Sequence, residues 1–267
     1  MAHVKATFSE ISYLQQINQH TMRDGEFCPS SMIILGGAGG GKSQYCKNEF
    51  AEIVRQARGL AVGEVVVELT QAAIRDDQEY AGVGVPQKAD KGLVTRFSIP
   101  NLIERLDELR ANGAKCIVLV VDEVSAASDA IQKLFAPVAD KFDHRLGDHV
   151  LGNDVVIAMT GNRAKDKAGS RRLLAHLPNR ACVYDLQVDH AAGADWLEDH
   201  DCHSLLVAAV RSLDGFISEA SPTEDGQMCS MRQVEQTSDW LKTAEEIGEF
   251  TDYVTPLLEK GIASYIG

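Results

Sequence analysis

Positive charge is the scarce commodity in this sequence of 267 residues, where 26 lysines and arginines face 39 aspartates and glutamates for a net charge of −13. A protein that holds nucleic acid by broad phosphate neutralisation needs a basic face, so the balance argues against that class and leaves room only for a local basic patch. Long apolar runs are also missing. No stretch reaches the roughly eighteen uninterrupted apolar residues of a membrane span, and the first ten residues lack the cationic start and apolar run of a secretion signal. The expectation is a chain without a membrane, in the cytoplasm. Cys28, Cys46, Cys116, Cys182, Cys202 and Cys229 show neither the paired spacing of a zinc site nor the density of a disulfide scaffold, and read as reduced thiols. His190, His200, Cys202 and His203 make an incomplete ligand pattern, read as polar residues of a surface loop.

What is present fits a folded globular chain. The hydrophobic fraction is 45% and the charged fraction 24%, both near average usage, and the length allows one large domain or a main domain with an appendage. Five short β-rich runs, at 32–36, 64–69, 116–122, 154–160 and 181–188, are separated by segments long enough for helices. Several are apolar on both faces, as in a parallel sheet covered on both sides. Residues 42–58 carry Tyr45, Cys46, Phe50, Ile53, Val54 and Ala57 at helical spacing; 101–111 do so with Leu102, Ile103, Leu106 and Leu109, and Gly113 follows their end. Beyond Val188 the pattern turns helical through Trp196, Leu197, Leu205, Leu206, Ala209, Val210 and Leu213. Ser230 and Gln233 have the reciprocal form of a helix start, with Val234, Leu241, Ala244 and Ile247 on the face that follows. The predicted organisation is an α/β core over 1–188 and a small α-helical lid over 189–267, with an exposed connector at 221–227.

Three strand ends carry the chemistry. Gly36, Gly37, Ala38, Gly39, Gly40, Gly41, Lys42 and Ser43 satisfy G-x-x-x-x-G-K-[ST] between an apolar run and an amphipathic helix, where the pattern must lie to bind phosphates. Glycines let successive backbone N–H groups turn on phosphate oxygens, with the positive end of the following helix behind them. Residues 36–44, Gln44 included, are therefore the nucleotide-binding candidates, with Lys42 reaching the β- and γ-phosphates and the Ser43 hydroxyl ligating Mg²⁺. The run 116–122 ends in adjacent carboxylates. Asp122 fits a role on Mg²⁺ through its waters, and Glu123 fits the acceptor of a proton from the attacking water. The run 154–160 delivers Asn162, whose amide can hold that water in line. Arg180 precedes the last run, with no obvious partner in the linear order of motifs, and Arg232 opposes the dipole of its own helix, a cost that a bound phosphate reverses.

The order of these parts resembles an AAA+ ATPase, and more narrowly the MoxR-like branch with its compact bacteriophage and bacterial members. The carriers are Ala158-Met159-Thr160-Gly161-Asn162-Arg163 with Asp166, Leu177-Pro178-Asn179-Arg180 and Met231-Arg232-Gln233-Val234-Glu235. That resemblance implies a P-loop NTPase core with a five-stranded parallel sheet and a helical lid. It implies Mg²⁺-dependent hydrolysis of ATP, a remodelling motor built as a homo-oligomer, usually a hexameric ring, and a protein substrate or a partner with a metal-ion-dependent adhesion domain. Under it, Lys42, Glu123, Asn162, Arg180 and Arg232 are the catalytic set, Asn162 as first sensor, Arg232 as second, and Arg180 reaching into the neighbouring subunit in competition with Arg171 and Arg172. It also places a loop at 79–86 with Tyr80 facing a central pore, an added hairpin at 91–99, and a second hairpin at 142–151. Met231 stands where many relatives have proline. The alternatives are an ATP-gated binding module with little turnover, and a helicase-loader-like protein working on DNA machinery.

Overall fold

The computed structural model describes residues 3–90, 92–166, 171–213, 217 and 229–247. One sheet organises the chain: β1 (Val4–Ala6), β2 (Ser31–Leu35), β3 (Val65–Gln71), β4 (Cys116–Asp122), β5 (Val155–Gly161) and β6 (Ala181–Leu186). Their spatial order is β1-β6-β2-β5-β4-β3, and each neighbouring pair is parallel. All five expected strands are present. Val4–Ala6 adds a sixth at the edge, pairing with Tyr184–Leu186; at three residues it is too short for periodicity to disclose.

Alternation along the strands divides the core. Ile33, Leu35, Ile117, Leu119, Val121, Ile157 and Met159 point to one face, where helices Asn101–Ala111 and Asp129–Ala139 contribute Leu106, Ile131 and Phe135. Met32, Ile34, Val118, Val120, Val156 and Ala158 point to the other, against Ile11 of helix Phe8–Gln19 and against Tyr45, Cys46, Phe50 and Val54. Both faces are covered, so β2 and β5 are buried at every position. The helix after the glycine loop is helical over 42–57 as expected, with a π segment, Cys46–Phe50, between two α stretches.

Helix Phe8–Gln19 escaped the hydrophobic pattern for a physical reason. Its buried residues are Ile11, Ser12, Gln15 and Gln19, mostly polar groups, and Ser12 and Gln15 are satisfied by partners from elsewhere. Gln15 Nε2 donates to the Tyr184 hydroxyl at 3.0 Å, and the Ser12 and Tyr45 hydroxyls share a 3.0 Å hydrogen bond.

Among the described residues three hairpins lie outside the sheet, a short one of Met22–Arg23 with Glu26–Phe27 and two that the sequence led us to expect. Of the expected two, the first pairs Gly84–Ala89 with Gly92–Phe97, and all of these residues are exposed. It therefore begins earlier than the predicted 91–99, taking in residues assigned to the preceding loop; Lys91 itself lies outside the described residues. Tyr80 does not face a pore. It is 1% exposed, its hydroxyl lies 2.7 Å from Thr70 Oγ1, and its ring meets Phe135 edge-on at 4.9 Å. The second expected hairpin, Arg145–Leu146 with His149–Val150, falls within the predicted 142–151.

After β6 come helices His190–Asp199, Ser204–Ser212 and Met231–Ile247. They hold a separate apolar cluster that includes Ala194, Leu197, Leu206, Val207, Val210 and Val234. The reciprocal start is formed: Ser230 N donates to Gln233 Oε1 at 2.9 Å, and Gln233 N to Ser230 Oγ at 3.4 Å. The connector predicted at 221–227 lies outside the described residues.

Candidate nucleotide site

The backbone leaves β2 at Leu35 and becomes helical at Lys42. Gly39 and Gly41 make that reversal at φ +72° and +77°, in the left-handed region that costs residues with a Cβ about 1–2 kcal/mol. Gly41 caps the helix without a side chain, leaving the first amides of the turn without a side-chain acceptor. Lys42 folds back over the loop, its Nζ donating to Gly36 O at 3.1 Å, Gly37 O at 2.6 Å and Asn162 Oδ1 at 3.2 Å. Burial pushes its pKa down from 10.5 to about 8, against the pull of the Asp122 and Asp166 carboxylates.

Sheet order brings the other groups to the same edge. β5 runs between the loop strand and β4, and Gly36 N donates to Gly161 O at 3.2 Å, so Asn162 emerges beside the loop. On the far side of β5, Asp122 Oδ1 accepts from Ser43 Oγ at 2.9 Å, from Glu123 N at 3.1 Å and from the Thr160 hydroxyl in a short contact. Glu123 is exposed and sits at φ +57°, a conformation that a residue with a side chain keeps only when its surroundings enforce it. Lys42, Ser43, Asp122 and Asn162 thus form one hydrogen-bonded constellation, with Glu123 next in the chain.

The arginines divide. Arg163 is buried with Asp166, whose Oδ2 accepts from Nε at 2.9 Å, and lies 3.4 Å from Asp185 through Nη1. Arg232 is exposed in the first turn of the last helix, and its charge is one of those acting on Lys42. That turn closes on the loop: a Cβ built at Gly39 would lie 2.6 Å from both Cβ and Oγ of Ser230 and 4.0 Å from Arg232 Cβ. Arg180 is elsewhere. It precedes Ala181, which pairs with Ser31 at the opposite end of β2 from the loop, roughly 16 Å away along the strand. It also has a partner within the chain, contrary to the expectation, because its Nε donates to Asp140 Oδ2 at 3.1 Å and its Nη1 to His176 O at 2.9 Å. Arg171 and Arg172 are exposed, and Arg171 N donates to Ser125 O at 2.9 Å.

The histidines of the incomplete ligand pattern do not share a surface loop: His190 opens a helix, His203 is buried, and two of the three have side-chain partners other than a metal. The His200 ring stacks on Trp196 at 3.9 Å, and His203 Nε2 lies 3.0 Å from Glu245 Oε1. The Ser43 hydroxyl and Asp122 carboxylate are the hard oxygen donors Mg²⁺ takes, and a Mg²⁺ site of this kind draws its other ligands from phosphates and water. Thr160 and Ser125 belong to the constellation although the sequence assigned neither a role. A polar residue closing a buried run was the signal for Thr160; Ser125 offered none, since its contacts depend on the turn between strands.

No protein-family model and no curated protein matches the chain. Among solved structures, the chain is similar to a DNA replication initiation factor at 14% identity, over 88% of this chain and 59% of that one, with a TM-score of 0.43. It is also similar to the Thermotoga maritima RuvB Holliday junction branch migration motor at 12% identity, over 89% of this chain and 63% of that one, with a TM-score of 0.45. The chain spans less than two thirds of the length of either structure.

Proposed function

We propose that the protein is a Mg²⁺-dependent ATPase of the MoxR-like AAA+ type, in which the core (1–188) binds and hydrolyses ATP and the helical lid (189–267) responds to it. What supports this most is a single observation: Lys42 and Ser43 of the glycine loop are hydrogen-bonded to Asn162 and Asp122 from two other strands. Phosphate binding alone needs the loop. Hydrolysis needs an acid and a polar amide beside it, and both are there.

The amides of residues 37–43 receive the phosphates, and Lys42 exchanges its carbonyl partners for phosphate oxygens. Ser43 and Asp122 hold Mg²⁺, which supplies neutralisation of charge on the β- and γ-phosphates. Glu123 accepts the proton of the attacking water, and Asn162 orients that water. Arg232 approaches from the lid, where its cost against the helix dipole is repaid by the triphosphate.

A ring of copies, most simply a hexamer in the cytoplasm, places an arginine of one subunit at the next subunit's site. Arg180 does this once it leaves Asp140, whereas Arg171 and Arg172 are already exposed. The work done is remodelling of a protein or protein complex, the partner being a protein substrate or a protein with an adhesion domain.

Phosphate release from ATP and Mg²⁺ tests the proposal. The wild-type protein turns over; Glu123→Gln retains nucleotide and loses at least about a hundredfold in rate; Lys42→Ala loses nucleotide binding. Release undiminished in Glu123→Gln contradicts hydrolysis at this site and leaves a nucleotide-gated binding module.

A further inference from the structure

The turn that follows the acid pair contains a side chain to which nothing above assigns a task. Ser125 is 1% exposed, and its Oγ accepts the backbone N–H of Asn162 at 2.9 Å. Its carbonyl accepts Arg171 N at 2.9 Å. Space for the hydroxyl exists only because residue 161 has no side chain: a Cβ there would lie 2.7 Å from Ser125 Oγ and 3.0 Å from Ser125 Cβ. The same turn is closed by Ala126 N donating to Glu123 O at 2.9 Å, and it is tied to β5 by Val124 N donating to Thr160 O at 2.9 Å.

Two ties therefore hold the acid turn against the strand that delivers Asn162. The Val124–Thr160 bond lies upstream of Asn162, and the Ser125 hydroxyl is the tie at Asn162 itself. Glu123 sits between the turn and β4 in a left-handed backbone that its neighbours must enforce. A group that fastens the Asn162 main chain to this turn fixes the distance between the proton acceptor and the amide that orients water. Positioning of this kind matters steeply, since a displacement of about 1 Å can cost about a hundredfold in rate.

We propose that Ser125 is a positioning residue for ATP hydrolysis, its hydroxyl holding Asn162 in register with Glu123. This rests on the ATPase proposed above. Ser125 touches neither nucleotide nor water in this scheme, so it acts on turnover and leaves affinity alone. Serine suits the place: it offers an acceptor with no further branch in a pocket that has room for none.

The test is a double-mutant cycle on the full chain, read as kcat, KM and nucleotide affinity. Ser125→Ala removes the hydroxyl and keeps the main-chain bond to Arg171; kcat falls about tenfold, while KM and the affinity for a fluorescent ATP analogue stay within about twofold. Asn162→Ala lowers kcat by at least about tenfold alone, and adding Ser125→Ala to it costs less than about threefold more, because Ser125 acts through the placement of Asn162. Gly161→Ala, which drives a methyl against Ser125 Oγ, reproduces the kcat loss with the hydroxyl present. Unchanged kcat in Ser125→Ala, losses that multiply in full, or a loss confined to KM overturns the inference while wild-type turnover leaves the ATPase standing. Absence of turnover in the wild type overturns both.

Discussion

Ser43 donates its hydroxyl to Asp122 Oδ1 across 2.9 Å, joining the helix behind the glycine loop to a strand two places away in the sheet. The bond is where a hydroxyl and a carboxylate can share a divalent cation. Replacing Asp122 by Asn keeps an oxygen acceptor for Ser43 and removes the charge. Loss of a partner of this kind typically costs about 10–100-fold in metal affinity. Titration of Mg²⁺ against ATP turnover should show the half-saturating concentration rising at least about tenfold in Asp122→Asn. An unmoved midpoint would take Asp122 out of the metal site.

Gly39 is where the glycine loop meets the start of helix Met231–Ile247. A Cβ at this position encounters Ser230 at 2.6 Å, on a backbone at φ +72°. Gly39→Ala should weaken nucleotide binding and lower the melting temperature by several degrees, consistent with about 1–2 kcal/mol of backbone strain plus the clash. Adding Ser230→Gly removes the clash and not the strain, so it should recover part of the loss. Full recovery would mean that the left-handed backbone costs nothing here, and none would mean that the lid does not touch the loop.

Whether an arginine works across subunits in the proposed ring, and which, is decided by mixing. Arg180→Ala should bind ATP normally and lose turnover by about a thousandfold if Arg180 is the finger. Mixing it with Lys42→Ala, which has a sound arginine and a dead cradle, should then restore part of the activity. Arg172→Ala and Arg171→Ala run in parallel; rescue confined to one of them transfers the role there, with Arg180 left as the partner of Asp140.

His144 gives the fold a pH dependence. Its Nε2 lies 3.1 Å from Val155 O at the start of β5, and burial holds its pKa below the ordinary 6.5. Above 6.5 both folded and unfolded chains carry it neutral, and it contributes no slope. As pH falls from there toward the lowered folded value, the unfolded chain takes a proton that the folded chain does not, and stability drops. Melting temperatures between about pH 7 and about pH 5.5 should therefore fall more in the wild type than in His144→Asn, asparagine being a residue that tolerates the φ of +42°. Equal slopes would assign the acid sensitivity to other groups.

The architecture was legible where burial is two-sided. Strands such as 116–122 are apolar at nearly every position, so their existence and their terminal acids can be read without knowing their neighbours. The helix 8–19 could not be read that way, because Ser12, Gln15 and Gln19 are buried polar residues, and the partners of Ser12 and Gln15 come from distant segments. The site shows the same division. The glycine pattern and Asp122 stand out locally, whereas the Ser125 contact with Asn162 and the Asp140 contact with Arg180 span 37 and 40 residues and exist only once the sheet is assembled. Tyr80 was misplaced for a related reason: an aromatic residue near a glycine turn gives no sign of whether a distant phenylalanine will cover it.

The most direct test of the account is a crystal structure of the full chain grown with Mg²⁺ and a non-hydrolysable ATP analogue. The account predicts the β- and γ-phosphates against the amides of residues 37–43, with one metal between Ser43 and the phosphates and Asp122 within a water's reach of it. Nucleotide bound anywhere else, or a metal that leaves Ser43 and Asp122 untouched, would contradict it.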